Sequence, residues 1–156
     1  MAKRGHMFAL VVASALVATG VSAMGQQAKG STCTISITSP KSGTSVGPSG
    51  TVKGIAEIPA TSHLWVLAHK KTLNGWWPQG GGESPISNGK WGEIEVVYGE
   101  DRDRGEFEVA VVAVGEDAHK ELNKWVDTAP DRKYPPTRFP ATTEGCPIAR
   151  VTVTKQ

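Results

Sequence analysis

Apolar and polar residues alternate along several short stretches of this chain. Cys33, Ile35 and Ile37 fall on one face and Thr34, Ser36 and Thr38 on the other, a half-buried strand that Ser39-Pro40-Lys41-Ser42-Gly43 stops. Val52, Gly54 and Ala56 alternate with Thr51, Lys53 and Ile55 up to Ile58-Pro59. From His63 to His69 the chain is apolar through Leu64, Trp65, Val66, Leu67 and Ala68, which predicts a central strand covered on both faces. Trp76-Trp77-Pro78-Gln79 reads as a short extended piece, because Pro78 pushes Trp77 away from helical geometry. After the Asn88-Gly89 turn, Ile94 and Val96 oppose Glu93 and Glu95. Phe107, Val109, Val111 and Ala113 then share a face, and Ala149, Val151 and Val153 alternate with Arg150, Thr152 and Thr154. These elements predict six strands plus a short one.

A single segment has helical period. Asp117 caps a stretch in which Ala118, Leu122 and Trp125 stand at i, i+4 and i+7, and Thr128 to Pro130 ends it. A Pro-rich connection with Pro130, Pro135, Pro136 and Pro140 follows, with Tyr134 and Phe139 as anchors. Connections of that length usually serve a function or are pinned down. Short strands separated by turn signals make the fold class all-β, an antiparallel sandwich with one short crossover helix near residues 117-127.

The N-terminus changes the picture of the compartment. Residues 1-23 read as a secretory signal peptide: Lys3 and Arg4, an uncharged apolar run from Met7 to Ala18, then Val21-Ser22-Ala23 as a cleavage site. The apolar run is short of the roughly 20 residues a membrane span needs, so no membrane insertion is expected after cleavage. Residues 24-32 read as a disordered leader and 33-156 as one domain. The expected localisation is extracytoplasmic, secreted or periplasmic. Cys33 and Cys146 are the only cysteines, and in an oxidising compartment they are expected to pair as a structural disulfide.

Charge narrows the partners. The chain carries 17 Lys and Arg against 15 Asp and Glu, and Lys3 and Arg4 account for the excess, so the expected mature chain is neutral. It lacks the basic footprint of a nucleic-acid binder.

Taken in order, Ile37-Thr38-Ser39-Pro40, Gly50-Thr51-Val52-Lys53-Gly54, Leu64-Trp65-Val66, Trp76-Trp77-Pro78-Gln79, Gly89-Lys90-Trp91 and Phe107-Glu108-Val109 resemble the immunoglobulin-like sandwich modules of bacterial extracytoplasmic proteins. The resemblance covers residues 33-114 best. It implies an immunoglobulin-like fold and an interaction role, and it brings no catalytic residues. An immunoglobulin disulfide would join the second and penultimate strands, whereas these cysteines flank the first and last.

Candidate chemistry is sparse. His63 and His69 lie about 20 Å apart along one strand, too far to share an ion, and His119 stands on the helix without a metal-binding spacing, so no metal or other cofactor is expected. Glu93 and Glu95 project the same way at about 7 Å, the basis of an alternative reading as a small glycan-active enzyme. Glu106 and Glu108 repeat the pattern, however, as any solvent-facing strand does. Asp101 to Gly105 fits a hairpin turn better than a calcium loop, and Gly80-Gly81-Gly82 lacks the Lys and Ser or Thr of a phosphate cradle. No Gly-x-Ser-x-Gly elbow occurs.

Five tryptophans are the remaining signal. Adjacent side chains of an extended segment point to opposite sides, so Trp76 and Trp77 cannot both enter the core. Trp65 is expected in the core and Trp125 against the sheet. Trp76, Trp77, Gln79 and Trp91 are the expected ligand-binding surface, with Arg132, Lys133, Tyr134 and Arg138 of the Pro-rich connection next in line. The expected function is a non-enzymatic binding or structural module for a protein or carbohydrate partner.

Overall fold

A computed structural model describes residues 32–128 and 134–156. The expected signal peptide, and the leader up to residue 31, lie outside them. Among the described residues nine strands form two sheets: β1 (Thr34–Ser39), β2 (Ser45–Val46), β3 (Ser49–Glu57), β4 (His63–Lys70), β5 (Trp77–Pro78), β6 (Ile86–Ser87), β7 (Lys90–Val97), β8 (Gly105–Val114) and β9 (Ala149–Lys155). One sheet has the order β1-β3-β7-β6 and the other β2-β9-β8-β4-β5. All pairings are antiparallel except β2 with β9. The fold is an all-β sandwich with, among the described residues, a single helix, α1 (Glu116–Thr128). β2, β6 and β5 are two residues each, too short for alternation to reveal.

The inter-sheet core follows from strand parity. Val52 and Ala56 of β3, Leu64, Val66 and Ala68 of β4, Val109 and Val111 of β8, and Val151 and Val153 of β9 meet between the sheets. The other face of β4 and β8 carries Trp65, Leu67, Val112 and Val114, which are also buried because α1 covers them with Leu122. That second layer explains why β4 is apolar on both sides. The helix begins at Glu116 and docks through Ala118, Leu122 and Val126, at i, i+4 and i+8. The expectation of a crossover is corrected: α1 links β8 to β9, which are neighbours in one sheet, so the chain returns to the strand next door.

Trp65 is buried as expected, but beneath the helix; the tryptophan between the sheets is Trp91, 3% exposed. Strict alternation would place Trp91 outward with Glu93 and Glu95. A register shift in the β3–β7 pairing between Val52 and Gly54 reverses the parity and turns Trp91 inward. Gly54 makes room for it, since a Cβ there would stand 2.6 Å from Trp91 Cζ2.

Cys33 and Cys146 form a disulfide with Cα atoms 5.0 Å apart, closing a span of 113 residues. It ties the entry of β1 to the segment before β9. At the other end, Lys155 is 2% exposed, and its Nζ donates to the carbonyls of Tyr98 (2.8 Å) and Glu100 (2.6 Å). Asp103 accepts from Lys70 (2.8 Å) and from the Glu100 amide (2.7 Å), which shapes a tight turn at residues 99–104. The expected hairpin is corrected: β7 and β8 lie in different sheets, so this turn carries the chain from one sheet to the other.

Candidate functional site

The four residues expected to form a binding surface are dispersed. Trp91 belongs to the core, and the expectation that it faces solvent is corrected. Gln79 is buried as well, with both ends of its amide spent on backbone: Nε2 donates to Trp77 O at 2.8 Å and Oε1 accepts from Val97 N at 2.9 Å. It fastens β5 to the end of β7. Trp76 is half-buried, stacked on His69 (4.5 Å between centroids), edge-on to Phe139 (4.9 Å) and capped by the Arg150 guanidinium (5.4 Å). Its backbone exchanges hydrogen bonds with Thr137 at 3.0 and 2.9 Å. The Pro-rich segment thus runs beside Trp76, joined to it by a single antiparallel bridge at Thr137.

Trp77 points the other way and keeps part of its ring in solvent. Its Nε1 donates to Tyr134 O at 2.9 Å. The Tyr134 ring stacks on Trp125 at 4.6 Å, and Trp125 Nε1 donates to Pro135 O at 2.9 Å. Trp77 and Trp125 are half-exposed and Tyr134 is 39% exposed. Three neighbouring aromatic rings therefore face outward where β5, α1 and the Pro-rich segment meet. Sequence reasoning named Trp77 and Tyr134 separately and assigned Trp125 to docking; their meeting depends on the Pro-rich segment folding back. Arg138 is exposed on that segment, while Arg132 and Lys133 lie outside the described residues.

A second cluster joins the start of β4 to the first turn of α1. His63 Nε2 donates to Glu116 Oε2 at 3.2 Å, and Nδ1 lies 3.1 Å from Glu83 Oε1. The Glu83 contact is at ion-pair distance, and Nδ1 is buried with no other partner among the described residues. His119 stacks on His63 with ring centroids 3.7 Å apart and planes 14° from parallel. Trp65 Nε1 donates to His119 Nδ1 at 3.2 Å. An indole N–H can only donate, so Nδ1 holds the lone pair and Nε2 the proton; Asn123 Nδ2 stands 2.8 Å from Nε2, and because two donors cannot pair, the amide is read with its oxygen and nitrogen exchanged so that the oxygen accepts. Burial works against charge on His63, but the hydrogen bonds and negative charges of Glu83 and Glu116 outweigh it and raise its pKa above the ordinary value. Lys120, and after it His63, lower that of Glu116.

His63, Glu83 and His119 place nitrogen and oxygen atoms within 4.8 Å of one another, close enough to consider a metal ion. Ring geometry opposes it. Imidazole lone pairs lie in the ring plane, so two near-parallel rings 3.7 Å apart send them side by side, and both nitrogens of His119 are already engaged. Sequence spacing sets His63 and His69 too far apart to share an ion and gives no sign of the His63–His119 pair, since only the docking of α1 on β4 brings those two together.

The carboxylate pair of the alternative reading is on the open face of the four-stranded sheet. Glu93 and Glu95 are exposed, and Glu93 pairs with Lys53 at 3.4 Å. Glu106 pairs with Lys71 and Glu108 with Arg150.

No protein-family model matches the chain, and no curated protein matches its sequence. Among the described residues, no helix is long and apolar enough to cross a membrane.

Proposed function

We propose that the chain is an exported, non-enzymatic binding module on an immunoglobulin-like sandwich, and that it recognises a protein or an extracellular polymer through Trp77, Tyr134 and Trp125. The observation that carries this reading is the way those rings are held. Each indole N–H is tied to a backbone carbonyl of the Pro-rich segment, so the rings are fixed before any ligand arrives. Rigid aromatic area loses little freedom on binding and suits sugar faces and protein pockets alike. Export is supported by the signal-like residues 1-23 and by the disulfide, since such bonds persist mainly outside the reducing cytoplasm.

The test is binding of purified protein to insoluble cell-wall polysaccharides and, separately, to immobilised envelope proteins. Trp77→Ala and Tyr134→Ala should each weaken the productive interaction at least about thirtyfold, the loss of about 2 kcal/mol expected for an aromatic anchor. Ile55→Ala is the control, because Ile55 is 50% exposed on the opposite sheet. Unchanged binding in both aromatic variants would move the site elsewhere. Release of reducing sugar that disappears in Glu93→Gln would replace the binding module with an enzyme.

A further inference from the structure

The cluster at the head of α1 has an internal charge logic. His63 is faced by a carboxylate at each ring nitrogen, Glu116 from α1 and Glu83 from the loop before β6. Only an imidazolium has a proton for both. The ring stacked on it, His119, must keep a lone pair on Nδ1 to receive the buried Trp65 N–H. One stacked partner is therefore built to be charged and the other to stay an acceptor. The remaining ionic group in contact is Lys120, 3.2 Å from Glu116 on the exposed side of the helix. Asn123, from α1, completes the surroundings.

We propose that His63, His119, Glu83 and Glu116 form a proton-dependent latch that holds the first turn of α1 against β4, closed while His63 carries both ring protons and loosened when it loses one. A neutral His63 has a single N–H, so either Glu83 or Glu116 then faces a lone pair. If Glu116 is released, the head of the helix loses its polar tie to β4, and the stack of His119 on His63 loses the cation that favours it. The sign follows from where the proton is held more tightly. His63 binds it better in the folded protein than in the unfolded chain. The latch therefore contributes in full below the ordinary imidazole value of about 6.5 and weakens as pH rises through the higher folded value.

The experiment is amide hydrogen exchange of residues 118–122, corrected for intrinsic exchange rates, between pH 5.5 and 8.5, alongside NMR titration of the His63 ring. The expected result is a His63 midpoint above 6.5 and protection that falls across it, with the opening equilibrium changing about tenfold per unit of raised midpoint. His63→Gln should remove the pH dependence. Glu83→Gln and Glu116→Gln, which keep the ring, should each lower the midpoint, and they decide the matter if His63→Gln fails to fold. A midpoint at or below 6.5, or a dependence that survives in His63→Gln, overturns the latch. So does thermal stabilisation by zinc that is lost in His119→Ala, because the cluster would then be a metal site.

Discussion

Gly54→Ala should be among the most damaging single-methyl additions to this domain. An added Cβ would lie 1.9 Å from the Ser36 carbonyl oxygen of β1 and 2.6 and 2.8 Å from Trp91 Cζ2 and Cε2. Ordinary contact begins near 3.4 Å, so the carbonyl would have to retreat by about 1.5 Å. That displacement would break the local β1–β3 ladder, whose strands normally lie about 4.8 Å apart. The indole cannot yield freely either, because Trp91 is wedged between the sheets. Overpacking typically costs 1 to 3 kcal/mol, and with a backbone atom as the obstacle the expected loss is about 3 kcal/mol. Urea unfolding followed by far-UV circular dichroism would show it as a lower midpoint at unchanged slope. Trp91→Phe separates the two obstacles. It removes the outer indole ring and a buried Nε1–H with no hydrogen-bond partner among the described residues, so in that background the alanine penalty should fall by about 1 kcal/mol without vanishing. A Gly54→Ala protein within about 0.5 kcal/mol of the parent would refute both the close β1–β3 approach and the inward turn of Trp91.

Other perturbations test the frame. Replacing Cys33 and Cys146 together with serine should lose up to about 4.7 kcal/mol, the chain-entropy figure for a loop of about 100 residues, and calorimetry or urea unfolding of the double variant would read it. Lys155→Met leaves the Tyr98 and Glu100 carbonyls without their shared donor and should cost about 2 to 4 kcal/mol, whereas Lys41→Met, on an exposed loop residue, should cost almost nothing in the same assay. Leu122→Ala should lose about 2 to 4 kcal/mol in urea unfolding, because Leu122 is the helix side chain buried against Trp65.

How much of this the sequence disclosed differs from element to element, for physical reasons. The long strands were legible because alternation in β1, β3, β8 and β9 reflects one face against the opposing sheet. The unbroken apolar run of β4 rightly indicated two covered faces and a buried Trp65, yet parity alone does not say which face meets the sheet and which the helix, so its place beneath α1 was not legible. Trp91 was misread because a single register shift inverts every later position of a strand. Gly54, directly opposite Trp91, was the available signal. The disulfide followed from having two cysteines and an export-like N-terminus. The aromatic face and the histidine pair were beyond reach of spacing arguments. Trp77 and Tyr134 are 57 residues apart and meet through a carbonyl, and His63 and His119 meet only because α1 lies across β4.

The most direct test of the proposed binding face is the set of indole N–H resonances, recorded by heteronuclear NMR while solubilised cell-wall polysaccharide fragments, and in a parallel series isolated envelope proteins, are titrated in. Each of the five tryptophans reports from a different place: Trp65 beneath the helix, Trp91 between the sheets, Trp76 under the Pro-rich segment, Trp77 and Trp125 at the surface. The Trp77 and Trp125 signals are expected to shift with added ligand while those of Trp65 and Trp91 stay in place. Binding that leaves Trp77 and Trp125 unmoved would contradict the proposed binding face.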